Sequence, residues 1–119
     1  MAFIQEIKQH MKFQTCLENI GLTQDEKEII DACLQALSLE VSEYTSILND
    51  LASMESSGID VACIYLDNDS DDCICQKFEG VCFTYLDEYA TVSRPKANHI
   101  LNRSIEILDL ELDWKGIQA

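Results

Sequence analysis

The chain has 119 residues, 47% of them hydrophobic, with 22 acidic residues against 8 basic ones and a formal net charge of −14. That apolar share excludes an intrinsically disordered chain, and the length implies a single domain, 1–119, whose core needs no metal or disulfide staple. The charge disfavours nucleic acid and anionic membrane as direct partners and favours a basic protein.

Phe3, Ile4, Ile7, Met11, Leu17 and Ile20 recur at helical spacing, so residues 3–20 read as a helix closed by Gly21. The opening MAFIQEIKQH mixes charges through an amphipathic pattern and lacks the layout of a signal peptide, which predicts a cytoplasmic protein. Thr23-Gln-Asp-Glu26 is a capping box, with Asp25 and Glu26 placed to meet the positive end of a helix dipole. The stripe Ile30, Leu34, Leu37, Val41, Tyr44, Leu48, Leu51 then predicts one long core helix over about 24–55, or two helices with a kink near Ser38. Ser56-Ser57-Gly58 is the expected stop.

The pattern then changes period. Ile59–Leu66 reads as a strand, Asn68–Asp72 as a polar turn and Cys73–Phe78 as the returning strand, with Gly80 as a break or bulge. Val81–Leu86 is a further strand, with Val81, Phe83 and Tyr85 on one face and Cys82, Thr84 and Leu86 on the other. Asp87-Glu88 connects it to Tyr89–Val92. Ser93-Arg94-Pro95 opens the last helix, since proline lacks only an N–H that the first turn leaves unpaired anyway. Its stripe is Ile100, Leu101, Ile105, Leu108 and Leu112, with Trp114 packing near its end. The order predicts an α+β fold: N-terminal helices, an antiparallel meander of about four strands and a C-terminal helix.

The six cysteines each stand where an apolar residue would, and so read as buried free thiols. Asp67-Asn-Asp69-Ser-Asp71-Asp72 starts like a calcium loop, but the sixth position is Asp72 where glycine is needed and the twelfth is Phe78 where glutamate is needed. Cys63, Cys73, Cys75 and Cys82 could meet across strands, yet Cys-x-Cys on a strand suits zinc poorly. No local signature joins His10 or His99 to a cysteine as a catalytic base. No metal, cofactor or catalytic residue is therefore expected.

What does cluster is acid. Between Asp60 and Glu88 there are eight carboxylates (Asp60, Asp67, Asp69, Asp71, Asp72, Glu79, Asp87, Glu88) and one base, Lys77. With Tyr65, Tyr85 and Tyr89 close in sequence, such a set suits an arginine- and lysine-rich surface. The candidate partner-binding residues are Asp67, Asp69, Asp71, Asp72, Tyr85, Asp87, Glu88 and Tyr89. An ordinary solvated sheet edge carries similar charges.

The segment from Gly80 to Ser93, followed by a capped helix to Asp113, resembles the C-terminal part of small immunity proteins of contact-dependent growth inhibition, through Gly80, Phe83, Tyr85, Asp87, Glu88 and Ser93. The resemblance covers about 35 residues, under a third of the chain. It implies a cytosolic antidote that binds a toxin domain, often a basic ribonuclease, and blocks it without catalysis. Alternative readings are a phage-type mimic of nucleic acid that inhibits a nucleic-acid enzyme, and a small enzyme using a cysteine.

Overall fold

A computed structural model describes residues 11–68, 73–75 and 77–118. Of the helix expected over 3–20, residues 3–10 lie outside these residues; over 11–20 the expectation fails except for α1, Gln14–Leu17, which buries Cys16 and Leu17. The backbone then turns through Asn19 (φ 65°) and Gly21 (φ 80°) into the capping box. The Glu26 N–H donates to Thr23 Oγ1 at 3.1 Å and the Thr23 N–H donates to Glu26 Oε1 at 2.8 Å. These bonds start α2, Gln24–Leu37.

The stretch expected as one helix or two kinked ones is two. α2 ends at Leu37 and α3 runs Val41–Ala52. The four–three spacing across the break was fortuitous, because Val41 is exposed and Leu39 is 83% exposed. The real stripes are separate: Ile30, Cys33, Leu34 and Leu37 on α2, and Tyr44, Ile47, Leu48 and Leu51 on α3. α3 stops not at Ser56–Gly58 but at Met54, which takes a left-handed φ of 65° while the Glu55 N–H reaches back to the Asp50 carbonyl at 3.0 Å.

The sheet is β1 (Ser57–Gly58), β2 (Ala62–Leu66), β3 (Val81–Tyr85) and β4 (Glu88–Val92), antiparallel and in that order. The described residues of the strand expected over Cys73–Phe78 form none, and Ser57–Gly58 supplies the fourth strand instead. Leu66 pairs directly with Val81, while β1 holds the other edge of β2 and β4 the other edge of β3. Both edges of β2, where a returning strand would pair, are therefore taken. Gly80 turns the chain into β3 with φ 90°, so close to β4 that a Cβ there would lie 2.2 Å from the Val92 carbonyl oxygen.

Ala62, Ile64, Leu66, Val81, Phe83, Ala90 and Val92 form the core face, which the helices cover. α2 lies across β2, β3 and β4, and α3 packs on β1. Ser93 caps α4, Arg94–Ile107, with Pro95 in its first turn as expected. The helix stops short of Asp113, because Asp109 (φ 54°) closes it with the Leu110 N–H on the Ile105 carbonyl at 3.1 Å. The tail folds back over the core. Trp114 Nε1 donates to the Leu48 carbonyl at 2.7 Å, and Asn98 grips Ile117 through both its N–H (2.7 Å) and its C=O (2.9 Å).

Candidate docking surface

The structure separates the residues that the sequence grouped. β2 and β3 run antiparallel, so the connection beginning at Asp67 leaves one end of the sheet and the Leu86–Asp87 turn caps the other. Asp67 is engaged internally: its carboxylate accepts from the Gly80 N–H at 2.8 Å and pairs with Arg94. Those bonds, the Gly80 N–H first, hold its pKa below the usual range. Asp69, Asp71 and Asp72 lie outside the described residues.

Tyr85, Asp87, Glu88 and Tyr89 gather at the far end, but not on one face. Tyr85 pairs with Glu88 and both lie beside α2. Tyr89 is 47% exposed and pairs with Thr84 on the opposite face, where its hydroxyl meets the Cys75 thiol. Asp87 sits exposed at the turn, next to Leu86, which is 62% exposed with φ 56°.

On the α2 side the surface is hollowed. A groove of about 590 Å³ is lined by Met11, Ala32, Ala36, Leu39, Val61 and Tyr85, with Glu28, Asp31 and Gln35. A second hollow of about 320 Å³ shares Glu28, Ala32 and Tyr85 and adds Asp25, Ile29 and Glu88. Together they run along one face of α2, acidic towards its start and apolar towards its end. Among the described residues neither lining contains a lysine or arginine, and no ion pair involves Asp25, Glu28, Asp87 or Glu88. A separate hollow at the opposite end of the sheet mixes Arg94 and Lys96 with Glu26, Asp67 and Glu79, so it presents no single sign of charge.

Asp31 is the buried charge of the groove, 3% exposed. Its carboxylate accepts from the Phe13 N–H at 2.7 Å and from Gln35 Nε2 at 2.6 Å. Burial raises its pKa, and the two hydrogen bonds oppose that rise. It ties the chain before α1 to α2 and fixes Met11 at the groove wall.

The core stripe of α2 gives no sign of its contribution to this surface. Residues 25, 28, 32, 36 and 39 recur at steps of three and four, a second stripe beside the buried one. Small residues at 32 and 36, preceded on the same stripe by the acids Asp25 and Glu28, are the available signal.

The cysteines lie apart from this surface. All six are free thiols; Cys16, Cys33, Cys73 and Cys82 are buried, as expected, while Cys63 and Cys75 are half-buried. Burial raises the pKa of Cys16 to about 12 and pushes Cys33 and Cys82 up as well. Cys73 meets Cys82 on the outer sheet face. His99 is exposed and His10 lies outside the described residues. Among the described residues no group of three or more His, Cys, Asp or Glu could hold a metal ion, and no helix is long and apolar enough to cross a membrane.

Compared with family models, with curated proteins and with solved structures, the chain matches none.

Proposed function

We propose that this protein is an immunity-type inhibitor, acting in the cytoplasm, which binds and blocks a basic toxin nuclease through the acidic end of α2 and the β3–β4 turn. The observation that carries the reading is the acid-rimmed groove with no lysine or arginine among the described residues of its lining. Asp25, Glu28, Asp87 and Glu88 offer carboxylates to the lysines and arginines that a nuclease uses to hold phosphates. Tyr85 and the exposed Leu86 supply the apolar contact that such an interface needs at its centre. Long-range attraction from a chain of net charge −14 speeds the encounter, and salt weakens it.

The test is stoichiometric inhibition. Basic proteins captured on the immobilised chain at low salt are eluted and assayed for nucleic-acid cleavage, and the free chain is titrated back. Cleavage that ends at one equivalent, and that persists when Asp87 and Glu88 are both changed to lysine, is the expected result. A captured set without nuclease activity, or inhibition indifferent to D87K/E88K, overturns the reading.

A further inference from the structure

The groove has a shape and a polarity that the acidic charge alone does not require. Its floor is Ala32 and Ala36, one helical turn apart, and small side chains there let a second backbone approach α2 closely. Leu39, Val61 and Met11 wall the far end, and Leu39 is 83% exposed with no described residue covering it. From Asp25 to Leu37, where α2 ends, the surface extends about 18 Å at helical rise, the length of a helix of a little over three turns, and Leu39 lies just beyond it.

We propose that the groove seats a cationic amphipathic helix of the partner, its apolar face on Ala32, Ala36, Leu39 and Val61 and its lysines or arginines against Asp25, Glu28 and Glu88. Charge selects this occupant over the others. Residues 1–10 of the chain carry one glutamate, one lysine and one histidine, so they bring no surplus of lysine or arginine to the acid rim. A second copy would bring another net charge of −14 against it. The inference rests on the reading of a basic partner, but its test does not need that partner.

The probe is a 14-residue leucine–lysine peptide patterned as an amphipathic helix, compared with a scrambled peptide of identical composition, by NMR titration of the full chain. The patterned peptide is expected to bind at least about tenfold more tightly than the scrambled one, a gap of one decade in Kd. The resonances of Ala32, Ala36, Leu39 and Val61 should move most. A36L, which fills the floor, should remove that preference while leaving the weak binding of the scrambled peptide unchanged. L39D should do the same, at a side chain too exposed to matter for folding. Equal binding of the two peptides overturns the inference, as does a patterned peptide indifferent to both variants. So does a dimer in sedimentation of the free chain that the peptide does not dissociate, or contacts from residues 1–10 to the Ala36 methyl in the free chain. If the peptides fail to discriminate while the D87K/E88K nuclease test succeeds, the helix groove falls and the inhibitory function stands; the reverse pair of results separates them the other way.

Discussion

Replacing Asp31 tests how the groove wall is held. In Asp31→Ala the Phe13 N–H, in a residue with no exposed surface, loses its acceptor and finds no water. An unsatisfied buried donor costs about 1–3 kcal/mol, and loss of the Gln35 bond adds to that. Asp31→Asn is different in kind. Its Oδ1 still accepts from Phe13, and the Gln35 amide can turn to present its oxygen to the new NH₂ group. The exchange weakens two charge-assisted bonds but removes a buried charge. Because burial raises the folded-state pKa of Asp31, the folded protein holds a proton there more tightly than the unfolded chain does. The stability contributed by that protonated carboxyl is complete below the unfolded value, 3.8, and is lost as pH climbs through the folded one. Each unit between the two is worth about 1.4 kcal/mol. Urea unfolding at pH 4 and pH 7 is the assay. Asp31→Ala should be less stable than Asp31→Asn by at least about 1 kcal/mol at both pH values. Wild type should lose ground to Asp31→Asn between pH 4 and pH 7. Equal losses in the two variants, or a wild-type-minus-Asn difference that ignores pH, would refute the assignment.

Other expectations are independent of that site. Ser104 donates its single hydroxyl proton to the Leu101 carbonyl (2.7 Å), so the buried Tyr44 hydroxyl must be the donor in their 2.6 Å bond. S104A, which strands that donor, should therefore cost about 1–3 kcal/mol, Y44F about 1 kcal/mol, and the double variant less than their sum in a double-mutant cycle by urea melts. Gly80→Ala should cost at least about 2 kcal/mol by the same melts, since its left-handed φ and the Val92 carbonyl both reject a methyl group. In reductant, stability should fall above about pH 9. Cys16, Cys33 and Cys82 have folded-state values raised by burial, so their contribution is whole below the unfolded value, 9.0, and drains away above it at up to about 1.4 kcal/mol per pH unit per thiol. C33A should flatten that alkaline slope in a urea series from pH 8 to pH 10.5.

The sequence was most legible where one local interaction decides the outcome. Thr23 and Glu26 formed the expected capping box, and Ser93 with Pro95 opened the last helix, because a cap is settled within four residues. Helix ends were least legible. Met54 and Asp109 stop α3 and α4 in a conformation that glycine usually signals, and neither residue type announces it. The strand expected over 73–78 fits its β-prone composition, but pairing is decided by which edges remain open, and β1 had taken the one beside β2. The candidate surface was half legible. Tyr85 and Glu88 were named from the hairpin, whereas Asp25 and Glu28 come from a helix more than fifty residues away in sequence, which only the packing of α2 across the sheet brings alongside.

That packing also sorts the acids by what they do for the fold. Glu26 caps α2, Asp31 holds Phe13, Asp50 accepts from Ser57 Oγ at 2.8 Å, and Asp67 joins Gly80 to Arg94. Each satisfies a donor that the fold itself presents, so stability alone accounts for it. The carboxylates of Asp87 and Glu88 accept no hydrogen bond and join no ion pair among the described residues; Asp25 gains only the dipole of α2, and Glu28 a 3.3 Å bond from Gln24 on the exposed helix surface. Crowded at one end of the molecule around Tyr85, these four raise the repulsion that a chain of net charge −14 already bears. An arrangement that costs the free protein stability and returns little to its own fold is what the proposed function asks for: carboxylates held at the α2–hairpin end, away from Asp67, for a positively charged partner.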